Sequence, residues 1–285
     1  MSDVGFPSAS RAPRVQLARS RPAVEADLVG IPWLSRLDAS ELERVRADLR
    51  VVQVQAGELV CRIGRPVTYW FGVIDGLLKM SNGAGPGGLA MPITFTGVPS
   101  GGWFGEGTVL KNETYRYNIQ ALRKSVVAGI TAGTFHWLLD RSIGFNRFVM
   151  MQLNERLGQF IAAREIDRLT DPDQRVARSL AALFHPVLYP GVGQLLRITQ
   201  QELGYLVGLS RQRVNEALHA LQVAAVIRIE YGGVRVLDLE RLRRYGIGAP
   251  GALAAAAAVT APAAEPGPAA APPPPSLARG LGGRP

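Results

Sequence analysis

The tightest constraint on this chain is local. Thr199-Gln200-Gln201-Glu202 is followed by Gly208 and then by Ser210. A Thr at a helix N-cap with Glu three residues on satisfies backbone N–H groups that a helix start leaves free. Leu203, Leu206 and Val207 give that helix an inner face. Gly208 admits the left-handed backbone of a tight turn, and Ser210 can cap a second helix. In the second helix Val214, Leu218 and Leu221 fall at i, i+4 and i+7 and face inward, which turns Arg211, Gln212, Asn215 and His219 outward. The spacing predicts two short helices at a fixed angle, with a polar face on the second: a helix-turn-helix.

That polar face has a chemical meaning. Arg donates two parallel hydrogen bonds to guanine O6 and N7, and Asn or Gln pairs in the same way with adenine N6 and N7. Arg211, Gln212 and Asn215 are therefore candidate base readers, Thr199, Ser210 and the helix-start N–H groups suit phosphate oxygens, and Gln200 and Arg213 complete the candidate DNA-binding set. Val226–Glu230, the turn Tyr231-Gly232-Gly233 and Val234–Leu237 read as a β-hairpin wing with Arg228 and Arg235 as backbone contacts. Against 23 acidic residues stand 32 basic ones, a net charge of +9 that suits an anionic partner such as double-stranded DNA. A solvated helical hairpin that binds nothing is the competing reading.

The rest of the chain divides by composition. Residues 1–27 lack periodicity and read as an unstructured arm; residues 247–285 are Ala, Pro and Gly with few large side chains and read as an unstructured tail. Over 28–134, Asp38 caps a helix with Glu41 at its third position and Leu42, Val45 and Leu49 along one face. Short β-like runs follow: Val51–Gln55 answered by Glu58–Arg62 across Ala56-Gly57, then Tyr69–Ile74, Leu77–Met80, Ala90–Phe95, Tyr117–Leu122 and Ser125–Ile130. Many short strands between turn signals imply a β-barrel or roll. Over 135–170 a long helix is expected, with Phe145, Phe148, Val149, Leu153, Leu157, Phe160 and Ile161 as a wide apolar stripe. A helix that overhangs a small β-domain is expected to pair with a second copy as a homodimer. Asp171-Pro172 then starts a new helix with Val176, Leu180 and Leu183 buried, which opens the 171–246 domain.

This order resembles the Crp/Fnr family of bacterial transcription regulators. The likeness spans about residues 30–246 and is strongest over Ile198–Gly204 and Val207–Arg211. It implies an α+β chain: a cyclic-nucleotide-binding-like β-roll, a long dimerisation helix and a C-terminal winged helix-turn-helix that reads a two-fold symmetric site, with RNA polymerase as a further partner. It also implies a ligand site. Gly105-Glu106 and Arg116, ten residues beyond the Glu, match the family's phosphate-binding cassette, with backbone N–H groups near Gly105, Gly107 and Thr108 as an anion nest. Two departures count against a conventional cAMP site: Tyr117 stands where cAMP binders carry Ser or Thr, and Phe160-Ile161 stand where they carry Thr-Ser. A cyclic mononucleotide, a cyclic dinucleotide, and a Glu106–Arg116 ion pair in an empty roll all remain open.

Other signals are weaker. Gly83–Gly88 contains G-x-G-x-x-G, but Pro92 and β-formers follow where a dinucleotide fold needs a helix, so a hairpin loop is expected. A single cysteine, Cys61, excludes a disulfide scaffold and a Cys-rich metal or iron–sulfur site, and reads as core. His136, His185 and His219 lack ligand spacing, so no metal is expected. Met150-Met151 reads as packing rather than as an oxidation sensor. No catalytic motif, membrane span or secretory leader is visible, so the expectation is a cytoplasmic non-enzyme. The alternative function is a signalling module that acts through protein partners.

Overall fold

The computed structural model describes residues 19–82 and 93–246. Residues 1–18 of the expected arm, the expected loop at 83–88, the start of the expected Ala90–Phe95 strand and the expected tail at 247–285 lie outside them. In chain order the N-terminal part runs β1 (Arg21–Pro22), α1 (Glu25–Leu28), a 3-10 turn (Leu34–Arg36), α2 (Ala39–Asp48), β2 (Arg50–Val54), β3 (Leu59–Cys61), β4 (Tyr69–Asp75), β5 (Leu77–Ser81), β6 (Thr94–Pro99), β7 (Trp103–Phe104), α3 (Glu106–Leu110), β8 (Asn118–Ala121) and β9 (Ser125–Thr131). The second part is α4 (Ala132–Arg141), α5 (Ile143–Ile166), α6 (Pro172–Ala182), β10 (Leu195–Leu196), α7 (Gln200–Val207), α8 (Arg211–Val223), β11 (Ile227–Glu230), β12 (Gly233–Val236) and α9 (Leu239–Arg243).

Alternation of apolar residues builds the roll. One sheet has the order β1-β2-β9-β4-β7 and another β3-β8-β5-β6, both antiparallel, and their buried residues share one core. β2 and β3 do not form the expected hairpin. β2 pairs with β9 and β3 with β8, so the Ala56-Gly57 turn carries the chain from one sheet to the other. The backbone bonds explain this: Gly57 N donates to Ala121 O at 2.8 Å and Ala121 N donates to Glu58 O at 2.9 Å, which fastens the corner to β8. Residues 19–27 also depart from the expected arm. Arg21–Pro22 adds to β2, and Asp27 accepts from Arg21 and from the backbone N–H of Val24.

Aromatic packing joins the helices to the roll. Trp33 meets Trp103 edge-on at 5.1 Å between ring centroids, Trp70 lies 4.4 Å from Trp103, and Phe145 of α5 lies 5.4 Å from Trp33. All four rings are buried and tie the residue that precedes the 3-10 turn, β4, β7 and α5 into one contact.

The single helix expected over 135–170 is two. Ser142 interrupts it: its side chain accepts from Phe145 N at 3.2 Å as the N-cap of α5, and its hydroxyl donates to Glu41 at 3.0 Å. Glu41 is already the third residue of the Asp38 capping box. A helix running through Ser142 would forfeit both bonds. Among the described residues no helix is long and apolar enough to cross a membrane.

Candidate functional site

The helix-turn-helix forms as its caps dictate. The Thr199 side chain accepts from Glu202 N at 3.2 Å, and the Glu202 carboxylate accepts from Thr199 N at 2.7 Å. Gly208 ends α7 at φ +69°, and a Cβ on Gly204 would sit 2.8 Å from Leu209 O, so both glycines are needed for the tight turn. Ser210 caps α8 by accepting from Arg213 N at 3.2 Å. Val214, Leu218 and Leu221 are buried, while Arg211 and Gln212 are exposed and Gln200 and Asn215 half-exposed. The β11–β12 wing follows, with Gly232 at φ +73° and Tyr231 fully exposed at its tip. β10 adds to β12 as a third strand that the sequence did not disclose.

Polar side chains on this surface are divided between free and engaged. Arg213 is spent within the domain: it pairs with Asp173 of α6 at 2.9 Å and with Glu216 at 2.8 Å. This departs from its expected place among the DNA-binding residues, because the i,i+3 partner and α6 claim its guanidinium. Arg235 is likewise held by Glu230, whereas the directly opposite Arg228 is exposed. Gln200 reaches across from α7. Its amide donates to Asn215 Oδ1 at 2.6 Å and accepts from Arg211 Nε at 3.5 Å.

A cavity of about 290 Å³ lies between the roll and α5. It brings together Glu106, Gly107, Thr108, Arg116, Tyr117 and Phe160 of the expected ligand set. It adds Met80, Lys111, Glu113, Leu153 and Arg156, which the sequence reading did not assign to the ligand set. Gly105 caps α3 just outside the lining, and Ile161 is 57% exposed on another face of α5. One residue is 100° of helix turn, so Phe160 and Ile161 cannot both face the roll squarely. The Glu106–Arg116 ion pair, one of the readings left open by the sequence, does not form. Arg116 lies at the surface and pairs with Glu113 at 3.0 Å, three residues away. Glu106 is 3% exposed and faces Arg156 instead, with Oε1 3.5 Å from Nε. Its other oxygen, Oε2, is buried without a hydrogen-bond partner. Burial, followed by the Glu106 carboxylate, raises the pKa of Tyr117, so the phenol stays neutral in the cavity wall.

Arg156 is the centre of a polar clasp. Its Nη2 donates to Trp103 O at 2.7 Å, and its Nη1 donates to Gln159 at 3.1 Å and to the Tyr189 hydroxyl at 3.0 Å. Burial disfavours its charge, but the oxygens of Tyr189 and Glu106 overcome that, and the pKa is raised. Gln152, Glu155, Arg156 and Gln159 form one strip of α5 that holds the segment after α6. Gln152 donates to Val187 O at 3.0 Å, Gln159 donates to Tyr189 Oη at 3.1 Å, and Glu155 meets His185 Nε2 at 3.1 Å. A second tie runs from the roll itself. Arg123 donates twice to Glu202, each bond 2.8 Å, and once to Arg197 O at 2.6 Å.

His185 gives the clasp a pH dependence. Its Nδ1 accepts from Val187 N and Leu188 N at 3.3 and 3.2 Å, so the neutral ring donates through Nε2 to Glu155. Burial lowers its pKa below the ordinary 6.5; the Glu155 carboxylate opposes this, and nearby Arg243 reinforces it. The unfolded chain therefore binds the proton more readily, and stability is lost as pH falls below 6.5. Melting temperature followed from about pH 7.5 to about pH 5 should fall more steeply for the natural chain than for His185→Asn. Parallel curves would refute this.

A family model of the Crp-like helix-turn-helix domain matches residues 174–245, and one of the cyclic nucleotide-binding domain matches residues 51–142; together they span more than half of the chain. A transcriptional regulator of the crp/fnr family from Eubacterium rectale matches in structure with a TM-score of 0.50 at 18% identity, over 76% of this chain and 99% of that one. The chain belongs to the Crp/Fnr family. The fold is also that of FixK2 from Bradyrhizobium japonicum, with a TM-score of 0.55 at 14% identity over 68% of this chain and 95% of that one. A CooA variant from Carboxydothermus hydrogenoformans matches with a TM-score of 0.51 at 16% identity, over 73% and 96% of the two chains. A search of the curated proteins found no match.

As a Crp/Fnr member, the protein is a DNA-binding transcription regulator with a cyclic nucleotide-binding domain. Sequence reasoning missed the clasp in this Crp/Fnr chain. Its signal was present as Gln152, Arg156 and Gln159, polar residues at i, i+4 and i+7 inside an otherwise apolar stripe. Cys61 is buried as expected, with burial pushing its thiol up to about 12. Met150 and Met151 are 65% and 46% exposed, not packed within the chain.

Proposed function

We propose that the protein works as a homodimer whose two α8 helices read a two-fold symmetric DNA site, and that an anionic small molecule in the roll cavity biases this reading through Arg156. The observation that carries DNA reading is the outward face of α8, where exposed Arg211 and Gln212 stand beside Asn215 on a winged helix-turn-helix. Half-sites would be about 34 Å apart, one turn of DNA. The dimer reading is supported by an apolar strip on α5 that the chain itself leaves open: Ile143, Met150, Leu157 and Ile161 are 70, 65, 60 and 57% exposed. Leu153 and Phe160, half-buried beside that strip, also line the cavity, so the seam and the ligand would share a wall.

The cavity chemistry supports an anion with an apolar body. Arg116, Lys111 and Arg156 outnumber Glu106 and Glu113 in the lining, and Leu153, Phe160 and Met80 supply apolar surface. Glu106 Oε2 has room in its bonding for a donor such as a ligand hydroxyl. A ligand anion that pairs with Arg156 competes with Glu106 and Tyr189, and Tyr189 belongs to the DNA-binding part of the chain.

Selection of the full-length protein on random duplexes tests the reading, with enrichment of a symmetric site as the expected result. Arg211→Ala should then cost about 1–3 kcal/mol of binding and relax one base position in each half-site. Enrichment of no sequence, or an Arg211→Ala chain with unchanged affinity and selectivity, would refute it.

A further inference from the structure

We infer that Asn154 fixes the register of the dimer: its amide pairs with Asn154 of the second copy on the two-fold axis and aligns the two α5 helices parallel and level. The inference rests on the homodimer proposed above and assigns the residue that sets its geometry.

The placement comes from α5 itself. Its buried residues, Phe145, Val149, Gln152, Arg156 and Gln159, form the side that faces the rest of the chain. Asn154 points about 180° away from the middle of that side, at 3.6 residues per turn. It is exposed, and among the described residues it has no hydrogen-bond partner. Ile143, Arg147, Met150, Asn154, Leu157, Ile161 and Arg164 follow one another in alternating steps of four and three residues, and all are exposed. That repeat is the seam of a helix packed along another helix. In heptad terms Asn154 and Ile161 take a positions and Met150 and Leu157 take d positions. A β-branched residue at a with Leu at d favours two parallel strands.

Gly158, one turn beyond Asn154, is an independent sign of a close neighbour. Glycine weakens a helix interior, yet Gly158 has no positive φ, and no packing neighbour lies within 4 Å of the place a Cβ would take. Nothing among the described residues calls for a glycine there. A second helix does, because a bare position lets its backbone approach closely.

The chemistry of the amide selects a second copy as that helix. A polar group in an apolar seam is costly unless it is bonded. A two-fold axis sets each group on it against its own copy. An amide carries both donor and acceptor, so two asparagines bond to each other, as two carboxylates or two ammonium groups do not. A slip of one heptad would set Asn154 against Ile161 or Arg147, and an antiparallel pair would set it against a d residue. Every arrangement but the level, parallel one leaves the amide without its match. Gln152, Arg156 and Gln159 clasp the opposite side of α5 to the winged part, so this register also sets the spacing of the two reading heads. Asn154 is therefore a positioning residue for DNA reading.

Charge exchange at position 154 of the full-length chain is the test. Asn154→Asp and Asn154→Lys should each weaken dimerisation by about 100-fold, because like charges meet at the axis. An equal mixture of the two should recover the dimer in sedimentation, which a variant that failed to fold would not do. Asn154→Leu should dimerise about tenfold more tightly, since no amide is left to bury. Asn154→Cys and Ile161→Cys should each give a covalent dimer under mild oxidation, with the natural Cys61 buried and silent. An antiparallel pair would link at no more than one of these positions. With a dimeric natural chain, linking at one position or neither overturns the inference alone. So do charge variants that dimerise like the natural chain, a mixture that stays monomeric, or an Asn154→Leu chain of unchanged affinity. A natural chain that sediments as a monomer overturns the dimer reading and this inference together.

Discussion

Leu157→Glu is expected to leave the chain folded but monomeric, and to weaken binding to a two-half-site duplex by about 100- to 10,000-fold, the advantage that linkage of two reading heads confers. Leu157 is 60% exposed in the single chain, so the substitution removes little internal packing. In a dimer joined along α5 it would place two like charges beside each other, near the axis, in an apolar seam. Sedimentation would report the mass and anisotropy the affinity. A variant that stays dimeric with unchanged affinity would show that the copies join elsewhere.

Arg156→Met is expected to lower stability by about 3–5 kcal/mol, the usual cost when one partner of a buried ion pair is removed. The remaining Glu106 carboxylate would be buried without its Arg156 cation, and Trp103 O would lose the Arg156 Nη2 donor. At a few degrees per kcal/mol for a unit of this size, melting should drop by roughly 6–20 °C. Glu106→Gln in the same chain removes the stranded charge and should restore part of the loss, so the double variant melts above Arg156→Met alone. A single variant that melts within a degree of the natural chain would show that the clasp carries no net stabilisation.

Arg156 is a residue whose role the sequence hides. Caps and periodicity made most of the fold legible: the Asp38, Thr199 and Ser210 caps, the β-segments and the wing all depend on neighbours close in sequence. Ser142 was less visible because its force as a breaker depends on Glu41, 101 residues away. The β2–β3 corner was misread for the same reason, since its backbone partners belong to β8. At the candidate site, residue types were legible but pairings were not. Glu106 and Arg116 do line one cavity, yet each finds a different partner, because a long side chain chooses among neighbours that only the tertiary fold supplies. Arg156 looked like an ordinary helix arginine until its environment was known.

The close seating of the winged part against its own roll has a practical corollary. Gly97 of β6 is bare of a side chain where Leu183 and Leu206 press in, within 2.8 and 2.9 Å of the position a Cβ would take, and Arg123 anchors Glu202 from the same side. A fragment begun at Asp171 would enter solution with that leucine pair uncovered and the carboxylate short of its cation. The DNA-reading half is thus no detachable cartridge: excised, it would be sticky and loosened, and measurements on it would describe a different object from the one that the whole chain folds into.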